Sequence, residues 1–218
     1  MPFTGFTSET GEFLWELAFH NEKPWFEAHK EQFLRAVKEP FDALAKETLA
    51  LMRQKYPDEP YCLHISRIYR DARRLFGRGP YKDHLWFTLW TGEDRHNSPV
   101  FWFELSPASF SYGVGFYTAT AEQMAALRRY IDANPAEMER LAKRVAKSEF
   151  HLEGEPYKRL KKDVGEVLNP WYNRKWISLC AEYDHGGALY TGELPQVLLD
   201  AYEKLMPVYK LLKRFPAE

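Results

Sequence analysis

The sequence predicts an α+β fold in which one antiparallel sheet of about four or more strands lies between N-terminal and C-terminal helices. Apolar residues recur at helical spacing toward both ends of the 218-residue chain. Between these regions, strand-like segments follow one another without an intervening helix, which is typical of an antiparallel meander. No Gly/Ser-rich linker or internal repeat interrupts the chain, so we expect a single domain over residues 1–218.

The N-terminal part predicts two helices. Thr7 precedes an acidic first turn and an apolar stripe, a combination that starts a helix. Pro24 suits the first turn of a second helix, whose apolar stripe continues until Pro57. Pro40 should kink or restart this helix, because a proline ring clashes with the preceding turn.

Four segments then predict strands, because β-branched and aromatic residues dominate them and turn-rich stretches separate them. These segments are 61–70, 84–90, 99–105 and 109–116.

Helix signals return after the last predicted strand. Thr120 and the glutamine three residues later form a capping box, in which each side chain bonds the other residue's backbone. Asn-Pro pairs at 134–135 and 169–170 each place a polar cap before a proline that fits the first helical turn. A last helix should begin near Leu194 and continue past a kink at Pro207.

Composition restricts the function classes. The chain has 15 Phe, 13 Tyr and 7 Trp, and burial is the usual fate of such rings, so an aromatic core is favoured over a base-stacking or sugar-binding surface. A net charge of −1, from 30 basic and 31 acidic side chains, argues against a general nucleic-acid-binding protein.

Location and redox state follow from what the sequence lacks. Cys62 and Cys180 stand far apart and in no metal-ligand spacing, which favours reduced thiols over a disulfide framework. The sequence has no secretory pattern and no long apolar run, so we expect a cytoplasmic protein without a membrane partner. It predicts no cofactor and no metal, and it leaves the oligomeric state open.

The most unusual segment is 67–84, which connects the first two predicted strands. It carries five Arg and one Lys against two Asp, a local charge of +4 in a chain of net charge −1. Arginine presents planar hydrogen-bond donors that match carboxylates and phosphates, and loops on a rigid sheet often carry binding residues.

This segment resembles the signature of family 2461 of the domains of unknown function. The run Arg70-Asp71-x-Arg73, with Pro80-Tyr81-Lys82 seven residues later, matches the pattern Arg-Asp-x-Arg-Phe-Ser-x-Asp-Lys-x-Pro-Tyr-Lys. Further matching pieces are Asn21 with Trp25-Phe26, Tyr112-Gly113-Val114-Gly115, and Lys175 after Asn169-Pro170. The resemblance spans nearly the whole chain and implies an α+β domain, without an established activity, substrate or cofactor.

The chain departs from this signature at two places. Arg74-Leu75 replaces Phe-Ser, and Gly77-Arg78 replaces Asp-Lys. The second replacement removes an acidic side chain, which weighs against a metal-binding or acid–base role at that position.

The leading hypothesis is that Arg67, Arg70, Arg73, Tyr81 and Lys82 bind a small anionic ligand, such as a phosphorylated compound. Strand alternation places Arg70 on the face opposite Arg67 and Arg73, so these side chains converge only if the loop folds back. The structural alternative is that Arg70 or Arg73 pairs with acids and ties the loop to the sheet.

Two other readings stay open. In the first, the protein is an enzyme acting on such a ligand, with His84 as proton carrier, although a hydrogen-bonded structural histidine is the commoner case. In the second, it is a protein- or nucleic-acid-interaction module that uses a basic helix face. Two clusters would form that face: Arg140, Lys143, Arg144 and Lys147, and Lys158, Arg159, Lys161 and Lys162.

Overall fold

The computed structural model describes residues 2–71, 73, 75, 77–116 and 118–216. Along the chain the elements are α1 (Ser8–Phe19), α2 (Lys23–Ala28), α3 (Lys30–Phe33), a π-helical segment (Leu34–Lys38), α4 (Glu39–Lys55), β1 (Cys62–Ile65), β2 (Leu85–Trp90), β3 (Pro99–Leu105), β4 (Ser109–Phe116), α5 (Ala121–Ala133), α6 (Pro135–Val145), β5 (His151–Glu153), α7 (Asn169–Tyr172), β6 (Ser178–Asp184), a 3-10 helix (Gly187–Tyr190) and α8 (Leu194–Leu212).

The strands form one six-stranded antiparallel sheet in the order β1-β2-β3-β4-β6-β5. The first four strands neighbour one another in chain order, so the predicted α+β class and the meander are confirmed. The sequence analysis missed β5 and β6. It also predicted too long a first strand, because β1 ends at Ile65 and Tyr69 pairs with Tyr81 only through an isolated bridge.

The described residues group into two compact units, each assembled from three chain segments. The first unit lies within Met1–Leu89, Trp102–Ser111 and Glu182–Asp200. Its core joins the N-terminal helices to the sheet through aromatic rings: the Phe41 ring centroid lies 5.9 Å from that of Phe87 and 6.0 Å from that of Phe103. Burial of these rings favours the unit because it removes large apolar areas from water.

The second unit lies within Trp90–Phe101, Tyr112–Ala181 and Ala201–Glu218. Here Phe101 on β3 packs against two tyrosines of α8, with ring centroids 4.8 Å from Tyr202 and 4.5 Å from Tyr209. The Tyr209 hydroxyl accepts a hydrogen bond from the Thr91 backbone N–H at 3.0 Å, which satisfies its polar tip inside the core.

The predicted helix cap and the two predicted proline kinks differ in how they appear in the structure. The Thr120 capping box is confirmed, with both reciprocal hydrogen bonds formed at 3.0 and 3.1 Å. Pro40 falls in the first turn of α4, directly after the π-helical segment, so the chain stays helical across the position where a kink or restart was expected. Pro207 lies inside α8.

Within the described ranges, no helix has both the length and the apolar character needed to cross a membrane.

Candidate functional site

The β1–β2 connection folds back on itself, as the anion-site hypothesis requires. The Arg70 N–H donates to the Pro80 carbonyl at 2.8 Å, and the Lys82 N–H donates to the Ile68 carbonyl at 2.7 Å. Together with the Tyr69–Tyr81 bridge, these bonds bring the two ends of the segment side by side. Ala72, Arg74 and Phe76, in its middle, lie outside the described residues.

Asn21 fixes this pairing from the turn between α1 and α2. Its side-chain amide donates to the Tyr81 carbonyl at 2.9 Å and accepts from the Tyr81 N–H at 2.9 Å. Gly79 is required beside it, because a Cβ there would lie 2.2 Å from Asn21 Oδ1. The Tyr81 ring is 2% exposed and stacks on Phe26 with centroids 4.1 Å apart. Tyr81 therefore serves as a packing residue and does not present its ring to a ligand.

Arg70 and Arg73 occupy different environments. Arg70 has a side chain 15% exposed, with Nε donating to the Tyr81 carbonyl at 2.7 Å and Nη2 3.6 Å from Asp83 Oδ1. Arg73 has a side chain 88% exposed and makes a two-point pair with the Asp71 carboxylate, at 3.0 and 2.8 Å. Arg70 is thus built into the sheet connection, whereas Arg73 makes its pair at the surface.

Lys82 is a half-buried member of this group of positive charges. Burial is the largest cause that lowers the pKa of Lys82, and the charges of Arg70 and Arg67 lower it further. The charge of Glu104 raises this pKa, but the net direction is downward. Its Nζ also lies 5.7 Å from the centre of the Trp86 ring. Arg67 is exposed. Arg67, Arg70 and Lys82 are called the cationic cluster below.

A carboxylate–histidine pair adjoins the cationic cluster. His84 Nδ1 lies 2.9 Å from Asp83 Oδ1, and because an ionised carboxylate only accepts, the hydrogen resides on Nδ1. Burial alone would raise the pKa of Asp83, but its hydrogen bond with His84 and the nearby charge of Arg70 lower it overall.

Glu104 completes the group, and sequence reasoning missed it. It lies between the buried residues Phe103 and Leu105 on β3, so strand alternation turns it to the opposite face of the sheet. Burial raises its pKa; His84 and Lys82 lower it, while Asp83 and Glu182 raise it, and the net direction is upward. A single acid in an otherwise apolar strand was the available signal.

The arrangement combines three cations, an oriented histidine, the ionised carboxylate of Asp83, and the Glu104 carboxyl group, which resists ionisation. Such a group can attract an anion, and it contains groups able to exchange protons. Of the sequence-predicted residues, the fold brings Arg67, Arg70, Lys82 and His84 together, while Tyr81 supports them from the core and Arg73 pairs with Asp71.

The two basic clusters contact groups of the chain itself, and only the first lies mainly on a helix, because residues 158–162 fall in the non-helical segment between β5 and α7. Lys143 pairs with Glu139 at 2.8 Å, and Lys162 pairs with Asp132 at 2.6 Å. Lys161 Nζ lies 4.4 Å from the centre of the Tyr157 ring. These contacts are those of solvent-exposed side chains, and the second cluster does not extend a helix face.

A cavity of about 590 Å³ lies elsewhere in the first unit, lined by the N-terminal segment, Arg35 and the start of α4. It contains none of the sequence-predicted site residues, so its position gives no support to the anion-site hypothesis.

The chain was compared with known proteins. A family model described as "conserved hypothetical protein (DUF2461)" matches residues 9–210. No curated protein matches the chain.

Proposed function

The chain belongs to the DUF2461 family, and we propose that it binds a small anionic ligand, through a phosphate or carboxylate group, at the cationic cluster of Arg67, Arg70 and Lys82. The family description names no activity or ligand, so the proposal depends on the chemistry of these side chains.

The observation that best supports this proposal is the position of the Lys82 ammonium group near other positive charges. This ammonium is half-buried beside two guanidinium groups, and both burial and their repulsion lower its pKa. A bound anion would add negative charge near Lys82, so the charged form of Lys82 would become more favourable as the ligand binds.

The three cations have different roles in the proposed site. Arg67 is exposed, so its planar guanidinium is available for two parallel hydrogen bonds to a carboxylate or phosphate. Lys82 provides a compact, half-buried charge. Arg70 is committed to the Tyr81 carbonyl and lies near Asp83, so it positions the connection and adds to the positive field.

The test is isothermal titration calorimetry and thermal unfolding with inorganic phosphate and with a panel of dicarboxylates. An anion at 100 times its dissociation constant should stabilise the wild type by about 2.7 kcal/mol. Arg67→Ala and Lys82→Met should each remove most of the binding while the protein stays folded. Arg73→Ala is the matched control and should bind as the wild type does, because that arginine already pairs with Asp71.

Two results would overturn the proposal. One is the absence of binding by every anion tested. The other is equal binding by the wild type, Arg67→Ala and Lys82→Met, which would place the anion elsewhere.

Added salt should weaken anion binding less than it would at a fully exposed patch, because Lys82 is half-buried.

The Asp83–His84 pair favours a second candidate function, an enzyme acting on the same ligand. An Nδ1–H held by a carboxylate leaves Nε2 as a base, which is the arrangement of a general acid–base histidine. Product formation from phosphate monoesters would support it if His84→Gln abolished turnover and left phosphate binding intact. Recovery of every monoester unchanged would leave only the binding function.

A further inference from the structure

The β5–β6 pair in the second unit brings a histidine, a glutamate and a cysteine to one place. The strands are antiparallel, and the register sets His151 opposite Cys180 and Glu153 opposite Ser178. Residues directly opposite each other share a sheet face, and so do residues two apart on one strand. The side chains of His151, Glu153 and Cys180 therefore lie on the same face.

The distances are those of a compact group of possible metal ligands. One ligand atom from each of the three residues lies within 4.8 Å of the others, and His151 Nε2 is 3.3 Å from Glu153 Oε1. Cys180 is 4% exposed, whereas His151 is exposed and Glu153 is half-buried. An ion could therefore enter from the solvent side and meet the sulfur at the base of the site.

The backbone at the end of β5 is fixed. Gly154 has φ 134°, and a Cβ there would lie 1.9 Å from the Trp176 carbonyl oxygen. Its own carbonyl accepts a hydrogen bond from Arg174, and the Lys175 N–H donates to the Glu155 carbonyl at 2.8 Å. These contacts hold Glu153 near β6, so binding a metal requires side-chain rotations and no change of strand register.

We propose that His151, Glu153 and Cys180 form a binding site for a thiophilic divalent cation, of which zinc fits best. Zinc takes thiolate sulfur, imidazole nitrogen and carboxylate oxygen at about 2.0–2.3 Å in tetrahedral sites. Calcium and magnesium prefer oxygen ligands alone, so the thiolate and imidazole disfavour them. With three protein ligands, the fourth position would hold water, as in catalytic rather than closed structural zinc sites.

Metal binding at this site is coupled to protonation. Binding of the cation replaces the proton of the Cys180 thiol, forms the metal–sulfur bond and releases that proton to solvent. The imidazole must also be neutral to ligate. Affinity should therefore rise with pH.

The experiment is titration of the 218-residue chain with Co²⁺, which replaces zinc and reports a thiolate ligand by charge-transfer absorption in the near ultraviolet. We expect one equivalent of Co²⁺ to give this absorption and Zn²⁺ to displace it. The band should be lost in Cys180→Ser and kept in Cys62→Ser, the matched cysteine of the first unit. His151→Ala and Glu153→Gln, at accessible positions, should weaken Co²⁺ affinity by at least about 10- to 100-fold, the loss that follows removal of an outer partner alone.

Three outcomes contradict the site: no thiolate band with the wild type, a band that survives Cys180→Ser, or an affinity unchanged in both His151→Ala and Glu153→Gln. The last comparison remains decisive if Cys180→Ser fails to fold, because His151 is an exposed strand residue whose truncation should not unfold the protein.

Discussion

At the scale of single residues, Arg70 and Arg73 show how two arginines of one motif come to serve different purposes. Sequence spacing identified both, because their charge stands out against the neighbouring apolar strands. Spacing could not show that Arg70 bonds the Tyr81 carbonyl, since this contact exists only after the connection folds back. Asp83 and Glu104 were not chosen as site residues for the same reason: their significance comes from neighbours on other segments.

Arg70→Ala should reduce the free energy of unfolding by about 1–3 kcal/mol, because it removes a charge-assisted bond to a buried connection and leaves Asp83 without that counter-charge. Arg73→Ala, the exposed counterpart, should leave stability almost unchanged. Urea denaturation of both variants tests the contrast. Equal midpoints for Arg70→Ala and the wild type would show that the Arg70 contacts contribute nothing to stability.

Glu104 gives a pH-dependent prediction. Its pKa is raised in the folded protein, so the folded state disfavours the ionised carboxylate. As pH rises from below the ordinary glutamate pKa through the raised value, the wild type should lose stability that Glu104→Gln retains. The difference in unfolding free energy, variant minus wild type, should therefore grow with pH and be smallest in acid. Chemical denaturation across this range measures it, and a flat or shrinking difference would argue against the assignment.

Among the helices and strands, sequence signals predicted the structure best where residues within one helical turn determine it. The Thr120 capping box and the Asn134-Pro135 helix start were readable because both depend on residues within one turn. Strand β5 was missed because it is only three residues long and gains its partner through register with a distant segment. The proposed His151–Glu153–Cys180 site could not be predicted from the sequence either, since these residues come from two strands far apart in sequence.

Gln123 joins its helix start to two other segments. Besides closing the capping box, its side-chain amide donates to the Asn97 carbonyl at 2.7 Å and to the Phe215 carbonyl at 3.0 Å. Gln123→Ala should therefore lower the free energy of unfolding more than Thr120→Ala does. Loss of the helix cap in Thr120→Ala should lower it by about 1 kcal/mol. Thermal unfolding of the two variants tests the order, and Thr120→Ser, which keeps a capping hydroxyl, is the control. A smaller loss of stability in Gln123→Ala than in Thr120→Ala would mean that the bonds to Asn97 and Phe215 contribute little to stability.

At the scale of the whole molecule, the α+β class followed from the grouping of helices and strands, whereas the division into two compact units did not. The boundaries between these units fall inside β2, β3, β4, β6 and α8 rather than in linkers, so no change of composition marks them. Sequence reasoning detects linkers, and none is present at these points. Whether the chain unfolds as a single domain stays a prediction.

We expect one cooperative thermal transition, because separate unfolding of either unit would break strands and a helix in their middle. Differential scanning calorimetry should give a calorimetric enthalpy equal to the van't Hoff enthalpy. Two separated transitions, or a stable proteolytic fragment ending near residue 120, would instead indicate two independently folding parts.

Titration of the Lys82 side chain by NMR would show directly whether the cationic cluster binds an anion. The ammonium resonance is assigned by its loss in Lys82→Met, and its pKa is measured with and without inorganic phosphate at saturation. Without ligand the pKa should lie below that of an ordinary lysine, because Lys82 is buried beside Arg70 and Arg67. With phosphate bound it should rise, because the anion stabilises the charged form. If the pKa of Lys82 is the same with and without phosphate, the cationic cluster does not bind this anion.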